Sequence, residues 1–202
     1  MSKKAVGICN CHYAELTVTP QPSGEDTITY GKPVKIPDLE EISITETYSE
    51  GKNYADNICN IAVKIVNNAD ITMTFSNVSR KIEAVLAGKQ YKDGQMESNV
   101  NDSQKAVAIL FQKTFDDGSY ENVVYYNCKL SRDDNGGSTK GESISFQGVT
   151  LSGTAIPLTN NKLSYVIASD ELGEDAEGKT KKKLDNFFKK VQFIDVDHTD
   201  SI

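Results

Sequence analysis

The sequence predicts a mainly β protein with one short internal helix and a C-terminal amphipathic helix, and three observations lead there. Short segments alternate apolar and polar residues with period two and are separated by Gly, Asn, Asp and Pro, the pattern of antiparallel strands facing a core. Two stretches instead space their apolar residues by three and four, as helices do. The 202 residues, 38% apolar and 25% charged, suffice for one buried core.

The elements follow in order. Residues Cys11 to Thr19 form a first strand, closed by Pro20 and Pro22, which cannot donate to a ladder. Ile42, Ile44 and Tyr48 place apolar groups on one face of a second strand. Asn57 to Val66 puts Ile61, Val63 and Ile65 on one side, and Ile71, Met73 and Phe75 repeat the pattern after a turn expected at Asn67-Asn68-Ala69-Asp70, which makes a hairpin. Ile82, Val85 and Leu86 mark a short helix, with Ser79 as N-cap and Gly88 as a left-handed stop. It is too short to persist alone and must lie on a sheet. Lys105–Phe115 and Tyr120–Leu130 flank Asp116-Asp117-Gly118-Ser119, the strongest hairpin signal in the chain. Its first arm is apolar on both faces, so it is covered on both. Ile144 and Phe146 are out of phase with Val149 and Leu151, a slip that a bulge at Gly148 absorbs. Leu163 to Ala168 supplies the last strand.

After Ser169 the composition shifts. Residues 170–177 hold five acids in eight positions and read as a solvated connector. Leu184, Phe187, Phe188 and Val191 then form a helical stripe opposite lysines, and Asp195 to Ile202 read as a loose tail. The expected organisation is a β domain over residues 1–168, followed by connector, helix and tail over 169–202.

Charge and motifs narrow the function. A net charge of −7 and a pI near 4.9 argue against a sequence-independent grip on nucleic acid, which needs cations to neutralise phosphates. No signal-peptide pattern opens the chain, and the longest apolar run, Ala106 to Phe111, is six residues against the roughly twenty of a membrane helix. A soluble protein with no membrane partner is expected. Cys9, Cys11, Cys59 and Cys128 read as reduced thiols. Cys9-Asn10-Cys11-His12 lacks both the usual zinc spacing and a second pair, and on a regular strand Cys9 and Cys11 share a face. No phosphate loop, dinucleotide fingerprint, nucleophile elbow or zinc-protease motif is present. His12 beside Cys11 lacks a third orienting group, Asp116-Asp117 and Asp133-Asp134 precede glycines as turn residues do, and Asp195-Val196-Asp197 lacks the glycine and distal glutamate of a calcium loop. The reading is a non-enzyme without cofactor or metal.

Three stretches carry a resemblance. The first runs from Tyr30-Gly31-Lys32-Pro33 through Ile36-Pro37 and Ile42-Ser43-Ile44 to Glu50-Gly51-Lys52-Asn53-Tyr54-Ala55-Asp56-Asn57. The second is Ala106 to Gln112 with Tyr125-Tyr126-Asn127-Cys128-Lys129-Leu130-Ser131-Arg132, and the third is Leu151-Ser152-Gly153-Thr154-Ala155 with the C-terminal helix. In this order they resemble the major tail proteins of siphophages of Gram-positive bacteria, with that family's E-G followed by Y-A-D, its A-L-L-F and its Y-N-C-x-x-x-R.

The resemblance implies a tail-tube β-sandwich or barrel whose subunits join as hexameric rings, the inner strands continuing around each ring. The rings stack into a hollow conduit for DNA. It implies as partners further copies of itself, a tape-measure protein, a tail terminator and baseplate or distal tail proteins, with double-stranded DNA passing through the lumen without specific binding. The place is the virion tail, assembled in the bacterial host cytoplasm. The departures from the family are the N-terminal Cys9-to-His12 segment and the acidic connector. An inner tube of a contractile tail or phage-derived bacteriocin shares the fold, and a monomeric β-sandwich binding a glycan or peptide is the more distant alternative. For the segment Tyr48 to Asn57, an exposed loop tip stands beside a contact with the adjacent subunit, in which Tyr48 and Tyr54 are aromatic anchors, Asp56 and Asn57 supply hydrogen bonds, and Glu50 joins them. Carboxylates are expected to outnumber Lys and Arg on the lumen wall.

Overall fold

The structure, a computed structural model, describes residues 3–22, 24, 26–55, 58–132, 135–137, 139, 148–173 and 178–194, with the backbone alone over 53–55 and 58–61. The fold is mainly β. Eleven strands are described: β1 (Ala5–Thr19), β2 (Thr27–Tyr30), β3 (Val34–Lys35), β4 (Leu39–Ala55), β5 (Ile58–Phe75), β6 (Gln90–Lys92), β7 (Gln95–Glu97), β8 (Val107–Phe115), β9 (Tyr120–Arg132), β10 (Val149–Ala155) and β11 (Ser164–Ala168). The two helices are α1 (Arg80–Ala87) and α2 (Lys179–Asp185).

Nine strands share one antiparallel sheet in the order β2-β1-β8-β9-β10-β5-β4, with β3 on β1 and β11 on β9. Strand β9 is the branch point. Its first half carries β11 along Glu121–Tyr125, and its second half carries β10 along Cys128–Arg132. The sheet therefore has two walls, β2-β1-β8-β9-β11 and β9-β10-β5-β4. Between them lies the larger core, where Tyr13, Ile109, Phe111 and Tyr125 of one wall share a cluster with Ile71, Met73, Phe75 and Leu151 of the other.

Helix α1 is positioned as its caps dictate. Ser79 Oγ accepts from the Ile82 amide, and Gly88 ends the helix at φ 68°. A Cβ at Gly88 would come within 1.9 Å of the Ser103 carbonyl oxygen, so only glycine fits there. Leu86 is buried in the larger core with Ile82 and Val85 packed against it. Glu83, 3% exposed, accepts from Arg80 at 2.8 Å and lies 3.5 Å from the Arg132 guanidinium, which ties the helix to β9.

The β8–β9 hairpin is doubly covered, as expected from its first arm. Val107, Ile109 and Phe111 face the larger core, while Ala108 and Leu110 face a second cluster closed by Leu184, Phe187 and Val191. The residues after the connector thus pack on the β domain. Within the connector, Asp170 accepts from Lys3 at 2.8 Å.

Four expectations are corrected. Asn67–Asp70 is no turn: β5 runs unbroken from Ile58 to Phe75, with Ala69 fully buried between the outward Asn68 and Asp70. Polar residues on an outward face imitated a turn. The C-terminal helix stops at Asp185, and Phe187, Phe188 and Val191 reach the core from irregular turns, so the apolar stripe outlasts the helix. Cys9 and Cys11 do not share a face. Asn10 adopts φ 55° in a register shift of β1, which turns Cys11 into the larger core and leaves Cys9 with its thiol 3.2 Å from Gln112 Oε1. The fourth concerns Tyr48–Asn57, expected as a loop: residues 48–55 are strand. The Ile144–Phe146 slip and the tail over 195–202 lie outside the described residues.

Candidate assembly interface

Strands β4 and β5 are far longer than the sheet they join. Their body halves pair from Leu39↔Phe75 to Thr47↔Asn68, and β10 flanks β5 only from Ala69 to Phe75. Beyond a register shift at Asn67, eight further pairs run from Tyr48↔Val66 to Ala55↔Ile58. At roughly 3.4 Å per residue this ribbon extends about 25 Å. Among the described strands, none pairs with either of its outer edges.

The arm has two unlike faces. On one, Tyr48 donates to Glu46 at 2.6 Å, and Lys64 Nζ sits 4.2 Å from the Tyr48 ring centroid. Sharing a proton with the Glu46 carboxylate pushes the Tyr48 phenol up from its ordinary range. Glu50 lies 3.5 Å from Lys52 and 3.8 Å from Lys64, exposed pairs that orient side chains and add little stability. On the other face Val63 and Ile65 stand 49% and 60% exposed opposite Gly51 and Ser49. Gly51 has open space where a Cβ would be. The result is a branched aliphatic ridge beside a shallow trough, left half or more uncovered by the described residues.

A two-stranded ribbon is marginal in water, and burying one Val or Ile side chain is worth about 1.5–3 kcal/mol. A surface laid over Val63 and Ile65 would therefore stabilise the arm. Strand β11 shows a lesser version of the same feature: Val166 is 50% exposed on a strand that, among the described ones, pairs with β9 alone, and nearby Ile194 is 61% exposed. Exposed strand edges of this kind are templates for pairing with another chain.

Of the residues expected at a subunit contact, Tyr48 and Glu50 lie on one face of the arm, and Tyr54 pairs with Cys59 near its tip. Asp56 and Asn57 lie outside the described residues. Lys64, which packs on Tyr48 and bridges to Glu50, was missed, although a lysine amid alternating apolar residues is itself a signal. Val63 and Ile65 were read as one face of a strand, but sequence alone gave no sign that the face is bare.

The N-terminal segment has a different character. Burial pushes the Cys11 thiol up to about 12, which leaves it inert as a nucleophile. His12 is on the other side of the strand, its Nδ1 donating to the Asn10 carbonyl at 2.7 Å and its ring 4.9 Å from that of Phe188. The two side chains are not aimed at one another. Among the described residues, no three of His, Cys, Asp and Glu converge as a metal site would require. No described helix is long and apolar enough to cross a membrane. Comparison of the sequence with protein-family models and with curated proteins found no match.

Proposed function

We propose that this chain is a self-assembling structural subunit, not an enzyme, whose partner is first of all another copy of itself. More particularly, it is the tube-forming protein of a phage tail: hexameric rings stack into a conduit through which double-stranded DNA passes. The observation that carries this reading is the arm, a ribbon with uncovered Val63 and Ile65 that is marginal alone.

The resemblance supports the more particular step. Glu50-Gly51 and Tyr54-Ala55 of the first motif lie on β4 of the arm, and Ala108 to Phe111, similar to A-L-L-F, and the Y-N-C-x-x-x-R of Tyr126 to Arg132 lie on β8 and β9, the central pair. A tube needs one contact that closes around a ring and another that repeats along the axis, so its length must be set from outside. The tape-measure protein, the terminator and the baseplate components fill that role in this reading, and the virion tail, built in the host cytoplasm, is its place. The net charge of −7 suits a conduit that does not hold DNA.

Electron micrographs and light scattering of concentrated protein test the proposal, with and without tail-tip initiator and tape-measure protein. Hollow tubes are the expected product. A compact monomer under all of these conditions overturns the reading.

A further inference from the structure

The chain is pinned in place just before its last described residue. Phe193 stacks on Tyr126 at 4.6 Å, the Tyr126 hydroxyl donates to the Gln192 carbonyl at 2.9 Å, and Lys183 Nζ donates to the Phe193 carbonyl at 2.6 Å. Ile194 then stands 61% exposed at a groove of about 630 Å³. Residues Tyr165 to Ala168 of β11 line that groove together with Glu121, Glu171, Lys179 and Lys183.

Strand β11 offers the groove an open edge. The Leu163 carbonyl accepts from the Tyr126 amide, and the Ser169 amide donates to the Tyr120 carbonyl. By antiparallel alternation, Tyr165 and Ile167 also turn their backbone groups to β9, while Ser164, Val166 and Ala168 turn theirs away from it. Among the described strands, none pairs with that edge.

The two faces beside the edge differ. Tyr165 and Ile167 are buried in the second cluster with Leu184, so α2 lies on that side and brings Lys179 and Lys183 with it. Val166 is on the opposite face, 50% exposed. The groove's carboxylates have cations of their own: Glu171 lies 3.7 Å from Lys3, and Glu121 stands opposite Lys113 in register.

The sequence after Ile194 is Asp195-Val196-Asp197-His198, which alternates acid and aliphatic with the period of a strand. Laid along β11, it sets both carboxylates on the face of Lys179 and Lys183 and Val196 on the face of Val166. At about 3.4 Å per residue these residues cover about 14 Å, most of the five-residue strand.

We propose that the groove is a strand-acceptor site and that its occupant is this chain's own segment from Asp195 to His198, added to the open edge of β11. The added strand takes the amides of Val166 and Ala168 out of water and withdraws the edge from pairing with other molecules. This inference stands apart from the tube reading.

Residue-resolved amide hydrogen exchange of the full chain, dilute and unassembled, tests it. Wild type is compared with Val196→Pro, which cannot donate to a ladder, and with Asp195→Lys plus Asp197→Lys, which repel the lysines of α2. In both variants the Val166 and Ala168 amides should exchange about tenfold or more faster, while the Ile167 amide, turned to β9, keeps its wild-type rate. Equal Val166 and Ala168 rates in all three proteins overturn the proposal. Protection that grows with protein concentration overturns it too, because the occupant is then a second copy. Independently, Val166→Cys with Val196→Cys, in a Cys9→Ser, Cys59→Ser background, should close a disulfide within one chain on air oxidation. A disulfide formed only between chains, or none, sinks the proposal.

Discussion

Strands β4 and β5 are one hairpin with two fates. Near the body, Ile71, Met73 and Phe75 are at most 1% exposed, against α1, β8 and β10. Along the arm, Val63 and Ile65, carried to the other side of the sheet by the register shift at Asn67, stand 49% and 60% exposed. Local pattern makes both halves strands, but burial depends on what stands opposite. For the arm, nothing in the described chain does. In the proposed assembly, this apolar face is where another copy would sit.

The comparison breaks most visibly in the body. Phe75→Ala is expected to cost about 3–5 kcal/mol, read as a lowered midpoint in urea unfolding of the free subunit. A negligible change would mean that the larger core is not packed as described. Val63→Asp with Ile65→Asp should do the reverse: the free subunit keeps its unfolding free energy within about 0.5 kcal/mol, but tubes no longer form in electron micrographs. Normal tubes from that variant would move the contact off the arm. Tyr48→Ala, which removes the ring beneath Lys64, should act more mildly. It is expected to raise the protein concentration at which scattering reports assembly without abolishing it, and an unchanged threshold would make that face a bystander.

The smallest effect is one of pH, and it belongs to the body. Burial holds the His12 imidazole below its ordinary 6.5, with nearby Lys35 adding to this and the Asn10 carbonyl partly opposing it. The unfolded chain then takes up the proton first. This contribution to stability is complete above about pH 6.5 and is lost as pH falls through the lower folded value. Melting temperatures between pH 7.5 and 5.5 should fall less steeply for His12→Gln than for the wild type. Parallel slopes would remove His12 from the account.

The features legible in sequence were those fixed by neighbours along the chain. Ser79 and Gly88 bounded α1 because capping is a matter of three or four residues. Asp116 to Ser119 marked the β8–β9 turn for the same reason. Asp93-Gly94, which turns β6 into β7 with both residues at positive φ, was equally readable and was overlooked. What stayed hidden depended on distant contacts. Asn67 and Asn68 look like a turn until β4 pairs along the strand on both sides of them, and Asn10 gives no warning that it will break the phase of Cys9 and Cys11. The candidate interface was half visible. Tyr48 and Glu50 were named from the motif, but the bare state of Val63 and Ile65 is a property of the finished sheet.

The order of synthesis adds a consequence of the sheet order. Strand β1 emerges well before its long partner β8: Tyr13 pairs with Ile109, almost a hundred positions downstream. At about 5–20 residues per second, β1 waits roughly 5–20 s for that partner to leave the ribosome. Meanwhile β4 and β5, adjacent in the chain, can zip in microseconds, as hairpins do. The nascent chain thus carries a paired β4–β5 hairpin before it carries a finished body. A crowded polysome making this protein would hold many exposed Val63 and Ile65 side chains close together, and on the proposed assembly reading the delay until β8 captures β1 is the interval in which neighbouring chains could meet through them.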